Sequence, residues 1–115
     1  MKKSSRKEAM VYPFGVKAGI CRSITSKLKG MMFLSRNKAK PLLFIFEKER
    51  NIPIHMWFVF FPIDVLFLDD RMQVVEIKRG LRPWQSFTSR KAWRVAVEIP
   101  SLRPYKARLG DRLTF

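Results

Sequence analysis

Three apolar runs of β-favouring residues lie in the middle of this sequence and limit what it can fold into. They cover residues 41–46, 54–60 and 63–68, and Pro62 separates the second run from the third. Short runs rich in Val, Ile and Phe are typical of buried strands, whereas a proline cannot donate a hydrogen bond within a central ladder. The sequence therefore predicts several short buried strands with a bend at Pro62.

Two further segments favour antiparallel strands. Asp69-Asp70-Arg71 separates the third run from Val74–Ile77, which is the spacing of a tight hairpin with the two aspartates as turn residues. Residues 92–99 alternate large apolar side chains with Arg, Ala and Glu, so we expect a strand with one face towards solvent. The charged residues 47–51 are interpreted as another turn.

One short helix is predicted near the start of the domain. Ser23 can cap it, and Leu28, Met31 and Met32 recur at the spacing of one helical face. Many short strands with one helix predict an all-β barrel or sandwich with a small helical insert.

The length and composition predict a single domain. The chain has 115 residues, of which 47% are hydrophobic, enough for one core. Residues 1–9 are mostly polar and basic, so we expect a flexible tail, followed by one β domain over residues 10–115. The longest apolar stretch, residues 52–68, is interrupted by prolines and an aspartate, and no transmembrane helix is expected.

Cysteine and histidine usage bears on compartment and cofactors. Cys21 is the only cysteine and His55 the only histidine, so an intrachain disulfide and a zinc-binding Cys/His motif are both excluded. The basic N-terminus is not followed by the apolar run and cleavage site of a secretory signal. We expect a cytoplasmic protein without a cofactor.

The net charge of +15 is the strongest functional signal, because such an excess attracts polyanions. Residues 41–77 hold six acidic and three basic residues, so the positive charge lies in the two flanks. In residues 78–91, cations surround Trp84 and Phe87, a combination that suits phosphate neutralisation and base stacking. Residues 103–112 add further cations. The candidate nucleic-acid-binding residues are Lys27, Lys29, Arg36, Lys38, Lys40, Lys78, Arg79, Arg82, Trp84, Arg90, Lys91 and Arg94.

These observations favour a non-enzymatic module that docks on RNA or another polyanion, within a ribonucleoprotein particle. A second hypothesis is a ligand-binding domain or enzyme with a polar site at His55 and Asp64, although Asp64 is better explained as a buried acid that holds a loop N–H group or an arginine. A third is a protein-interaction domain that uses the Trp84 loop, for which an exposed apolar patch is the discriminating observation.

Five segments together resemble a family, the domain of unknown function 192 family of bacteria and archaea. They are residues 30–33, Met56, residues 62–69, residues 74–75 and residues 109–113, and the resemblance covers about residues 16–115. It implies a jelly-roll-like β architecture with a short helix near the start, and no established activity, cofactor or substrate. The segment Pro-Ile-Asp-Val-Leu-Phe-Leu-Asp is its most specific part.

The sequence departs from this family at one place. The family pattern has polar residues between the Met and the Pro of its central motif, where this chain has Trp57, Phe58 and Val59. A polar site at these positions is therefore not expected. The lack of an export signal makes the chain similar to the cytoplasmic, archaeal branch.

Overall fold

The computed structural model describes residues 8–22, 39–101 and 105–115. Within these ranges, six strands form one sheet in the order β1-β2-β3-β8-β5-β6, and two short strands, β4 and β7, form a second. The strands are β1 (Glu8–Val11), β2 (Val16–Cys21), β3 (Leu42–Arg50), β4 (Ile54–His55), β5 (Ile63–Leu68), β6 (Val74–Leu81), β7 (Ser86–Phe87) and β8 (Trp93–Pro100).

The large sheet separates two apolar cores because successive side chains of a strand point to opposite faces. From β5, Val65 and Phe67 enter the first core, which also contains Met56 and Trp93 and is covered by the β4–β7 sheet. Leu66 and Leu68 enter the second core, which the C-terminal residues cover. Central strands therefore need apolar residues on both faces.

The β8 strand corrects one prediction. A strand over residues 92–99 is confirmed, but its second face is not solvated, because Ala96 and Glu98 are both buried. Between β3 and β5, β8 has a core on each side. The small and polar residues that alternate along β8 therefore do not mark a solvated face. Ala96 and Glu98 point towards the first core and are enclosed there.

The mainly β class is confirmed, whereas the barrel alternative of the predicted barrel or sandwich is wrong, because the sheets do not close. The edge strands β1 and β6 do not pair with each other in the described chain, and β2 runs parallel to β3. The last residues join the two edges instead, through isolated bridges between Tyr12 and Thr114 and between Gln73 and Arg112. The sheet is therefore open, with a short C-terminal segment across the gap.

Several local predictions can be compared with the described residues. The hairpin at residues 69–71 is confirmed, since β5 and β6 are antiparallel and Asp69 Oδ1 accepts the N–H groups of Arg71 and Gln73 at 2.9 and 3.0 Å. The charged turn at 47–51 is wrong, because β3 continues to Arg50.

The remaining predictions concern β4, the N-terminal residues, the short helix and membrane-spanning helices. The strand expected over residues 54–60 is reduced to the two residues of β4. The helix predicted from Ser23 lies outside the described residues, as do residues 1–7 of the predicted tail, and β1 begins at Glu8. Nothing in the described ranges is a helix of the length and hydropathy needed to cross a membrane.

Candidate nucleic-acid interface

Four exposed aromatic side chains lie on the loops that join β4 to β5 and β6 to β7. Trp57, Phe58, Phe60 and Trp84 are 57%, 41%, 58% and 56% exposed, and we call them the aromatic knuckle. Single exposed apolar residues are common in proteins, but a group of large aromatic rings on adjoining loops marks an interaction surface. The knuckle is therefore the first candidate for function.

The first core holds the loops of the knuckle in place. Met56, Val59 and Phe61 alternate with the exposed rings in sequence and are almost completely buried. The Met56 N–H donates to the Gln85 carbonyl at 2.8 Å, and the Trp84 N–H donates to the Met56 carbonyl at 2.9 Å. Buried anchors and backbone hydrogen bonds thus fix two loops against each other.

Two residues of the knuckle have an unfavourable backbone conformation. Phe58 has φ of 60° and Trp84 has φ of 68°, in the left-handed region, which costs a residue with a side chain about 1–2 kcal/mol. Their rings meet edge to face with centroids 5.1 Å apart. Because strain of this kind concentrates at functional sites, it supports a role for the exposed pair.

His55 and Asp64 do not form a joint polar site. His55 is exposed on β4, with its ring centroid 4.9 Å from that of Trp57, on the side of the first core. Asp64 is buried on β5 and hydrogen-bonds Tyr105, which packs against the second core. The large sheet therefore separates the two side chains.

Asp64 accepts several hydrogen bonds. Its Oδ1 accepts the Gly80 N–H at 2.8 Å and the Ser101 hydroxyl at 2.9 Å, while Oδ2 accepts the Tyr105 hydroxyl. Burial, and then the hydrogen bond to Asp64, raise the pKa of Tyr105 above its ordinary value. Asp64 is thus a buried acid whose hydrogen bonds connect β6 to Ser101 and Tyr105, which follow β8.

Glu98 is a second buried acid that sequence reasoning did not single out. It is 7% exposed, and its neighbours in the ladder are Leu42 and Val65, both residues of the first core. Burial raises the pKa of the Glu98 carboxyl to about 8. Glu98 is therefore mostly protonated at neutral pH.

Some of the candidate cations have partners within the fold. Lys40 forms an ion pair with Glu8 at 2.7 Å, and Arg94 Nε donates to the Phe46 carbonyl at 2.9 Å. Arg79 contacts the buried Asp64 with Nη1 3.9 Å from Oδ2. These three side chains stabilise contacts of the protein itself.

The other candidate cations of the described chain lie close to the knuckle in sequence. Lys78 Nζ stands 5.4 Å from the centroid of Phe87, on β7. Arg82, Arg90 and Lys91 lie exposed on the loops on either side of β7. Their side chains form no ion pair with a carboxylate of the described ranges, although Glu76 Oε1 accepts the backbone N–H of Arg90 at 2.8 Å. The candidates Lys27, Lys29, Arg36 and Lys38 lie outside the described residues.

Sequence reasoning found Trp84 but missed the other three knuckle residues. Residues 57–60 have the composition of a buried strand. Only the positions of the buried residues among them show that this segment is a loop with exposed rings. The departure from the family pattern at Trp57 and Phe58 was the available signal.

Comparison with known proteins reveals a family without an assigned function. The DUF192 family model, described as an uncharacterized ACR, matches residues 5–115. A UPF0127 protein of Pyrococcus abyssi is 39% identical over 85 residues, which are 70% of this chain and 72% of that protein. A UPF0127 protein of Thermococcus sibiricus is 33% identical over 98 residues, 82% of this chain but only 62% of the relative, so the chain spans less than two thirds of it.

Two solved structures share the fold. One is a protein of Sinorhizobium meliloti described as a candidate transcription regulator, with a TM-score of 0.75 and 21% identity over 86% of this chain and 81% of that one. The other, from Novosphingobium aromaticivorans, is of unknown function, with a TM-score of 0.72 and 14% identity over 100% and 99%. At these identities the likeness concerns the fold alone.

Proposed function

The chain belongs to the DUF192 family, which is uncharacterized, and we propose from its own surface that it is a non-enzymatic module that binds single-stranded RNA through the aromatic knuckle. The observation that carries the proposal is the exposed ring pair of Phe58 and Trp84, held in a strained backbone conformation. In the proposed setting, the protein docks on a ribonucleoprotein particle in the cytoplasm.

Stacking supplies the first part of the expected affinity. Each base that stacks on an exposed aromatic ring contributes about 1–3 kcal/mol, independently of base identity because every base has a π-face. The Trp84 ring is more than half exposed and the hydrogen bond from its N–H fixes its backbone. A ring that is already positioned loses little conformational entropy when a base binds.

Electrostatics supplies the second part. Arg82 lies two residues from Trp84, and Arg90 and Lys91 follow β7. Residues 1–7, 23–38 and 102–104 add nine of the 24 basic residues and none of the nine acidic ones. Cations beside exposed rings suit a phosphate backbone, because Arg and Lys contact phosphates independently of sequence while the rings stack on bases.

The test is fluorescence anisotropy with a labelled oligouridine of about ten nucleotides, a length within the site sizes of single-strand binders. Trp84→Ala is expected to lower the affinity by about 5- to 150-fold, the equivalent of one lost stacking contact. Tyr12→Ala is the matched control, because Tyr12 is 54% exposed but lies beyond the edge strand β1. A duplex of the same length should bind more weakly, since its bases are stacked on each other.

Salt dependence provides an independent measure. The logarithm of the affinity should fall linearly with the logarithm of the salt concentration, and Arg82→Ala should reduce the slope by about 0.7 if it removes one phosphate contact. Binding that is insensitive to salt, or equal for Trp84→Ala and wild type, contradicts the proposal. Either result would direct the search to a protein partner of the same apolar surface.

A further inference from the structure

A groove lies on the side of the large sheet that faces away from the knuckle, where residues 105–111 pass over the second core. One part, of about 440 Å³, is lined by Arg79, Tyr105, Lys106, Ala107, Arg108 and Asp111. The adjoining part, of about 510 Å³, is lined by Pro13, Phe14, Tyr105 and Lys106. Both parts are lined by Tyr105 and Lys106, so a cationic depression and an apolar depression adjoin at these two residues, and we call the two together the groove.

A β-bulge directs Arg79 into this groove. Arg79 and Gly80 of β6 both stand opposite Asp64 of β5, at a shift in the register of the two strands. Gly80 has φ of 65°, a conformation that glycine adopts without steric cost. Bulges of this kind commonly change the direction of a side chain beside a functional site.

The guanidinium of Arg79 is held before any ligand binds. Nη1 donates to the Tyr105 hydroxyl at 2.9 Å and Nη2 donates to the Ala107 carbonyl at 3.3 Å, while the buried Asp64 lies 3.9 Å from Nη1. The side chain is still 57% exposed. Since a guanidinium has five N–H donors, donors remain for an anion, and the fixed fork loses little entropy on binding it.

The other groups in the cationic half are also compatible with an anion. Lys106 and Arg108 are exposed. The one carboxylate that lines it, Asp111, accepts the Arg108 N–H with Oδ2 at 2.9 Å. The Tyr105 hydroxyl, like any phenol at neutral pH, is uncharged, so it adds no repulsive charge. Three cations thus face two carboxylates, Asp111 and the buried Asp64, both of which already accept hydrogen bonds, and one net positive charge remains for an anion.

We propose that this groove binds a phosphate monoester attached to a planar ring. Arg79, Lys106 and Arg108 bind the phosphate, and the ring packs on Phe14 and Tyr105, whose centroids are 5.9 Å apart. Clefts of this size hold small molecules, and paired cationic and apolar parts match a nucleotide. The free nucleoside monophosphate and the 5′-phosphorylated end of an RNA strand share this chemistry. The large sheet separates the groove from the knuckle, so the inference does not rest on the proposed function.

The test is a titration of the full chain with adenosine monophosphate, in which equilibrium dialysis measures the bound fraction of the ligand. Saturable binding is expected, with adenosine and inorganic phosphate each weaker by about tenfold or more, because each lacks one half of the contacts. Lys106→Glu should weaken binding of the monophosphate about tenfold. Lys48→Glu, an equal charge change at an exposed position of β3, should not. Phe14→Ala should weaken the monophosphate but not inorganic phosphate.

Two oligouridines, with and without a 5′-phosphate, distinguish the sources of the ligand. Tighter binding of the phosphorylated strand, abolished by Lys106→Glu, assigns the RNA end, whereas equal binding of the two strands assigns the free nucleotide. The proposal is overturned if neither adenosine monophosphate nor the 5′-phosphorylated strand binds saturably at millimolar concentration. It is also overturned if Lys106→Glu and Lys48→Glu weaken binding of the monophosphate equally. None of these outcomes alters the comparison of Trp84→Ala with wild type, so the two proposals fail separately.

Discussion

Replacement of the buried Glu98 by glutamine should change how the stability of the protein depends on pH. Burial raises the pKa of this carboxyl from 4.5 to about 8, so between these values the native state keeps a proton that the unfolded state has lost. Stability from this group is full below pH 4.5 and is lost as the pH rises through 8. Glu98→Gln has nearly the same shape and cannot ionise.

The size of the effect follows from the two pKa values. Each unit of difference between the native and unfolded pKa corresponds to about 1.4 kcal/mol, and stability changes by that amount per pH unit within the window. Between pH 5 and pH 7, the titration of Glu98 therefore lowers the free energy of unfolding of the wild-type protein by about 2–3 kcal/mol. Glu98→Gln should lack this loss and should gain on the wild type by that amount over the same range.

Urea unfolding at a series of pH values between 5 and 8 measures this difference. The unfolding midpoints of Glu98→Gln and wild type should diverge by about 1–2 M over the window, given ordinary denaturant slopes. Glu47→Gln, at an exposed position of β3, is the control and should run parallel to wild type. Parallel curves for Glu98→Gln and wild type would refute the reasoning, because they would mean that Glu98 has the same pKa in both states.

Two further predictions concern the contacts of Asp64. Tyr105→Phe removes the hydrogen bond to the Asp64 carboxylate and should lower the free energy of unfolding by about 1–3 kcal/mol in urea titrations, whereas Tyr12→Phe should change it by less than about 0.5 kcal/mol. Gly80→Ala introduces a side chain at positive φ with free space around it and should cost about 1–2 kcal/mol. Gly80→Asn should cost less, since Asn tolerates this conformation, and equal losses for the two variants would argue against backbone strain.

The sequence by itself determined the class of the fold and many of its local elements. The apolar runs at residues 42–46 and 63–68 lie in strands, and Asp69 makes the turn between β5 and β6. These features depend on side chains close together in the chain, where periodicity and turn chemistry act directly. The family was also recognisable from its motifs, since the family model covers residues 5–115.

The tertiary structure decided which side chains are exposed, because that depends on segments distant in sequence. The C-terminal residues cover one face of the large sheet and the β4–β7 sheet covers the other, so Glu98 is buried although the alternation around it suggested a solvated face. Conversely, Trp57, Phe58 and Phe60 are residue types typical of a core and yet lie outside it. Their neighbours Met56, Val59 and Phe61 fill the space in the first core.

Both candidate sites also arise from contacts that no local pattern encodes. The knuckle needs the Met56 and Trp84 loops to meet through backbone hydrogen bonds. The groove needs a bulge in β6 to bring Arg79 to Tyr105, 26 residues further along the chain. A sequence lists the charges and rings that a binding surface can use, whereas only the packing of distant segments brings them together, because their proximity follows from the burial of other residues.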